Sequence, residues 1–134
     1  MDEARLQAIP LFAGLSKSES RLVARCADEV ELKPGDSLCR EGELAYEFLV
    51  LEEGTAKVVR GDQYLHELGP GDFLGEMGLI EDNRRNATVT SLSPIRAVVM
   101  TGHAFRQICR EMPQVGAQIR AAIEERRHWL EPVS

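Results

Sequence analysis

Gly75 and Glu76 open a short apolar segment, Met77-Gly78-Leu79-Ile80, and nine residues beyond Glu76 stands Arg85, followed by Asn86 and the strand-like Ala87-Thr88-Val89. A small anion carrying a neighbouring hydroxyl would use each part. Gly75, without a Cβ, lets the backbone come close to a ligand. The free N–H groups of a helical turn starting there would point at a phosphate. Arg85 offers a planar fork matched to two phosphate oxygens. Glu76 only accepts when ionised, which suits a sugar hydroxyl and not a phosphate.

This stretch resembles the phosphate-binding cassette of cyclic nucleotide-binding domains, the family of the catabolite activator protein and the protein kinase A regulatory subunit. The family pattern reads roughly Phe-x-Gly-Glu-(Leu/Ile)-(Ala/Gly)-Leu, a few residues, then Arg-x-Ala-Thr-Val. Phe73, Gly75, Glu76, Gly78, Leu79, Arg85, Ala87, Thr88 and Val89 fall on it without a gap. Met77 stands where Leu or Ile is usual, a volume-conserving change. Arg84 stands where the family has Pro or a polar residue, and is read as solvated.

The resemblance implies a site built from Gly75, Glu76, Met77, Gly78, Arg85, Asn86, Ala87 and Thr88. Arg85 and the amides from Gly75 to Gly78 would hold the cyclic phosphate, and Glu76 would accept from the ribose 2′-hydroxyl. Ala87 stays small to leave room, Thr88 and Val89 are strand residues first, and Val50 and Leu51 would line the pocket under the base. Asn86 departs from the usual Ala, Ser or Thr at a position that helps separate cyclic AMP from cyclic GMP. The ligand expected from this bacterial-style cassette is cyclic AMP, with cyclic GMP open. In relatives a helix after the β-domain closes over the purine, and Arg126 and Trp129 lie where its lid residue falls, by stacking or cation–π contact.

Around the cassette the chain reads as helix, a long β-rich middle, then helix. Ile9-Pro10-Leu11-Phe12-Ala13-Gly14-Leu15-Ser16 resembles the opening segment of the same family. Ser16 with Glu19 three residues on forms a capping box, and Leu22, Val23, Cys26 and Val30 recur at helical spacing, giving a helix over 17–29. Over 30–101 turn signals recur at Pro34-Gly35-Asp36, Glu41-Gly42, Glu53-Gly54, Gly61-Asp62 and Gly69-Pro70-Gly71-Asp72. The short runs between them predict an antiparallel β-roll, jelly-roll-like, carrying the cassette over 73–89. Over 102–131 a short helix with Phe105, Ile108 and Cys109 on one side acts as a hinge. Pro113 opens the last helix, where Val115, Ile119, Ala122, Ile123, Arg126 and Leu130 mark one face. The class is α+β, one domain over 1–134.

The 134 residues are 43% hydrophobic and 28% charged, ordinary for a globular domain. A net charge of −6 argues against nucleic acid or an anionic membrane as partner, and asks any bound phosphate to sit in a local pocket. The N-terminus lacks the apolar stretch of a signal peptide, and no apolar run is long enough to span a bilayer. Three scattered cysteines, Cys26, Cys39 and Cys109, suggest a reducing, cytosolic compartment. Iron–sulfur and haem sensors exist in the family, but neither these cysteines nor His66 and His103 have the spacing of a metal site. An enzyme acting on a cyclic phosphate would need a metal cluster or an activated nucleophile, which no His/Asp spacing offers. The expected function is a regulatory cyclic nucleotide-binding module that signals through its C-terminal helix, to a second copy or an effector. No DNA-binding segment is read in this chain. The alternative is a degenerate module that binds a protein and no nucleotide.

Overall fold

A computed structural model describes residues 1–44, 47–75, 85 and 87–130, and the side chains of these except 123 and 126–130. Two short N-terminal helices, α1 (Glu3–Gln7) and α2 (Lys17–Cys26), flank a 3-10 turn at Pro10–Phe12. Among the described residues eight strands follow: β1 (Asp28–Leu32), β2 (Ser37–Cys39), β3 (Glu47–Glu53), β4 (Ala56–Arg60), β5 (Gln63–Leu68), β6 (Phe73–Leu74), β7 (Thr88–Ser91) and β8 (Ile95–Thr101). Helices α3 (Gly102–Glu111) and α4 (Pro113–Leu130) complete the described chain. The strands form two antiparallel four-stranded sheets, ordered β1-β8-β3-β6 and β2-β7-β4-β5. This is the expected α+β fold, an antiparallel β-roll flanked by helices.

Period-two alternation along β3 and β8 divides the interior in two. Leu49, Leu51, Ile95, Ala97 and Val99 face into the roll and pack with Ala56, Val58, Leu68, Leu74, Ala87 and Val89. Phe48, Val50, Val98 and Met100 face the other way, onto Leu11, Phe12, Val23, Phe105, Ile108, Val115 and Ile119 of the helical elements. The helices thus cover one sheet and leave the roll with a core of its own. Arg5 fastens α1 to this layer by ion pairs to Glu29 of β1 and to Glu52 of β3.

Helix α2 ends earlier than its spacing predicts. Ala27 is already extended, and Asp28 to Leu32 pair with Val99 to Ile95, so Val30 is a strand residue packed against the roll core. Ladder pairing with β8 overrides a helical period that rested on one further apolar residue. The helical start does form as predicted. Glu19 takes the Ser16 backbone N–H at 2.9 Å, while the Ser16 hydroxyl accepts from the Glu19 N–H at 3.2 Å.

These contacts set a pH dependence. The Ser16 N–H foremost, then the Ser16 hydroxyl and Gln114 of α4, hold the Glu19 carboxyl below its usual value. A depressed carboxylate pKa contributes stability at neutral pH that is lost as pH falls through the folded-state value. Acidifying below the ordinary carboxylate range should therefore loosen the first turn of α2. A lower protection factor for amide exchange at Glu19 in acid, absent in Glu19→Gln, would report it; equal acid sensitivity in that variant would place the effect elsewhere.

Candidate ligand-binding site

The approach to the cassette is held by main chain. Gly71 N–H donates to the Leu51 carbonyl and Leu51 N–H to the Asp72 carbonyl, each at 2.8 Å. The Asp72 carboxylate takes the Gly69 N–H at 2.8 Å, closing the Gly69–Asp72 turn. β6 then pairs with the middle of β3, Leu74 opposite Leu49 and Phe73 opposite Val50. This delivers Gly75 to the first residue of β3, Glu47.

There three groups converge. Arg85 is only 9% exposed, and its Nη2 donates to the Glu47 carbonyl at 2.6 Å. Gly75 has φ +97°, and a Cβ on it would collide with Arg85 Nη1 and lie 2.6 Å from the Glu47 carbonyl oxygen. Glycine is thus required twice, by its left-handed backbone and by the guanidinium against it. The Arg85 main chain is fixed as well: its N–H donates to the Glu43 carbonyl at 2.8 Å and its carbonyl accepts from the Gly42 N–H at 3.0 Å.

The Nη1 of Arg85 is buried and has no hydrogen-bond partner among the described residues. Native proteins seldom leave a buried donor unpaired, least of all a charged one, because the desolvation goes uncompensated. A guanidinium fixed by one nitrogen and unsatisfied at the other fits an anion as its missing partner. The donor set therefore suits a phosphate of the kind the sequence suggests.

Other sequence candidates fall variously. Ala87 is buried in the roll core, its carbonyl 3.6 Å from the Cys39 sulfur. Thr88 lies on the opposite side of the strand from Ala87 and Val89, half-buried, its hydroxyl accepting the Glu41 N–H at 3.0 Å. Leu51 faces the roll, but Val50 packs among the helices, because neighbouring strand residues cannot line one pocket. Glu76, Met77, Gly78 and Asn86 lie outside the described residues. Arg126 and Trp129 are carried by α4, with side chains outside the description.

Sequence reasoning missed Glu47, Gly42 and Glu43, which hold Arg85. Glu47 and Glu43 act through main-chain carbonyls, which no residue type announces. The Glu41-Gly42 dipeptide was visible only as a turn.

The sequence profile of the cyclic nucleotide-binding domain family matches residues 29–112, and the chain belongs to that family. It is 28% identical over 108 residues to the cAMP-dependent protein kinase regulatory subunit of Hypocrea atroviridis, covering 81% of this chain and 23% of that one. It is 32% identical over 101 residues to a cGMP-dependent protein kinase of Eimeria tenella, covering 75% of this chain and 10% of the kinase. The chain thus spans a minor part of these relatives. The crystal structure of Thermus thermophilus catabolite activator protein matches with a TM-score of 0.73 at 25% identity, over 88% of this chain and 57% of that one. No described helix is long and apolar enough to cross a membrane.

Proposed function

We propose that this chain is a regulatory module that binds 3′,5′-cyclic AMP, with cyclic GMP the competing ligand, and is not itself an enzyme. The observation that carries the reading is Arg85, buried against Gly75 with one guanidinium nitrogen unsatisfied among the described residues. The cyclic phosphate would complete it, helped by the amides that follow Gly75. Glu76 would accept from the ribose 2′-hydroxyl, and Asn86 would meet the phosphate or the purine edge. The names of the relatives, one a cAMP-dependent and one a cGMP-dependent kinase protein, support the ligand class and leave the purine to be measured.

Transmission runs through an aromatic contact. Phe73, two residues before Gly75, lies 5.6 Å from Phe48, which stacks on Phe105 of α3 at 4.3 Å between ring centroids. A shift of the cassette would press this row and tilt α3, which packs on α4. Helix α4 would then close on the base through Arg126 or Trp129 and present its outer side to a second copy or an effector. Such a switch works only by differential affinity for its two states, about 5.5 kcal/mol to move a 1:99 population to 99:1.

Isothermal titration with cyclic AMP and, in parallel, cyclic GMP tests the reading. Micromolar or tighter binding is expected for at least one, with the 2′-deoxy analogue weaker by about 1–2 kcal/mol. No heat and no thermal shift with either nucleotide would leave a scaffold that binds a protein. Conversion of cyclic AMP to AMP would overturn the non-enzymatic part.

A further inference from the structure

Thr88 and Glu41 are joined by a set of hydrogen bonds that the ligand site does not absorb. The Glu41 N–H donates to the Thr88 hydroxyl at 3.0 Å, and the Glu41 carboxylate accepts the Gly61 N–H at 2.8 Å. Gly61 sits in the turn between β4 and β5, so one residue ties the loop after β2 to both β7 and that turn. The next two residues, Gly42 and Glu43, make both main-chain bonds to Arg85. Gly42 has φ +84°, the left-handed geometry that turns its N–H and the next carbonyl onto the same neighbour. The sequence therefore runs, residue by residue, from an anchor to the backbone of the phosphate-binding arginine.

We propose that Glu41 is a positioning residue for Arg85, and that Thr88 acts through Glu41 and not on the ligand. With the side chain and the N–H of Glu41 both fastened, Gly42 and Glu43 are held at the height that Arg85 needs. The guanidinium then meets the Glu47 carbonyl with one nitrogen and keeps the other for the anion. Apart from these anchors, the exposed 40–43 segment makes, among the described residues, its two main-chain bonds to Arg85, a local bond from the Glu43 N–H to the Arg40 carbonyl at 3.2 Å and a wide Arg40–Glu43 ion pair at 4.0 Å. The binding part of this inference rests on the cyclic nucleotide reading above; the positional part does not.

The test compares Glu41→Ala with Glu41→Gln, and Thr88→Val with Thr88→Ser, in the intact chain. Gln keeps the oxygen that caps Gly61, and Ser keeps the hydroxyl. Titration with cyclic AMP should show Glu41→Ala and Thr88→Val weakened roughly three- to tenfold, the loss of about one hydrogen bond each. Glu41→Gln and Thr88→Ser should bind within about twofold of wild type. The Glu41→Ala/Thr88→Val double variant should lose less than the product of the two, because they loosen one linkage. Full affinity in both truncations, or Gln failing as badly as Ala, would overturn the proposal. Amide exchange at Arg85, measured without ligand, gives an independent answer: it should accelerate in Glu41→Ala and revert in Glu41→Gln. Unchanged exchange would sink the positional role even if affinity fell. A wild type that bound no cyclic nucleotide would remove the functional reading and leave exchange to decide the anchor.

Discussion

Arg85→Ala should lose cyclic nucleotide affinity by about 3–5 kcal/mol, a hundred-fold to several thousand-fold, while the protein stays folded. The size follows from burial. A phosphate seated beside a guanidinium that is only 9% exposed would, in the variant, be a desolvated anion without its cation. The fold should survive because the change also removes a cost. In the free protein Nη1 is buried with no partner among the described residues, and its removal relieves that desolvation while giving up the bond from Nη2 to the Glu47 carbonyl. The two effects oppose, so the melting temperature should move by less than about 5 °C. Arg85→Lys separates charge from shape. A lysine keeps the cation but has no fork to serve the Glu47 carbonyl and a phosphate together, so roughly ten- to a hundred-fold loss is expected. Titration decides both, and Arg85→Ala binding like wild type would remove Arg85 from the site.

The parts of this architecture legible in the sequence are those in which one residue type has one physical use. Ser16 and Glu19 mark a helix start because few other pairs cap both ways. The Gly-rich turns separate short apolar runs, so β4 and β5 fall between the turn signals at Glu53-Gly54, Gly61-Asp62 and Gly69-Pro70-Gly71-Asp72. Gly75 and Arg85 were visible through their spacing, and the structure does bring them together. Hidden were β1 and β2, whose residues are fixed by partners far along the chain and not by local propensity. Hidden too was the carbonyl of Glu47, since a backbone oxygen carries no signature in the residue that bears it. Hidden as well was the bond that the Thr88 hydroxyl accepts from the Glu41 N–H, since a backbone donor carries no signature in its residue either.

Gly75→Ala tests whether glycine is there for its backbone or for its neighbour, and should cost the protein about 2–4 kcal/mol of stability and at least tenfold in affinity. Two obstacles meet the new methyl group. At φ +97° an alanine is strained whatever the space around it. The methyl also runs into the Arg85 guanidinium and lies 2.6 Å from the Glu47 carbonyl oxygen, and neither can yield without breaking the bond between them. The melting temperature should fall by roughly 10 °C. Coupling to Arg85 separates the two causes. In the Arg85→Ala background the guanidinium is gone, so Gly75→Ala should be milder there by about 1 kcal/mol, a departure from additivity expected only of groups in contact. If instead the two changes simply add, the guanidinium does not press on residue 75. Glycine would then be needed there only for the turn into the cassette, and its close packing against the Arg85 guanidinium would not be what fixes that side chain's position.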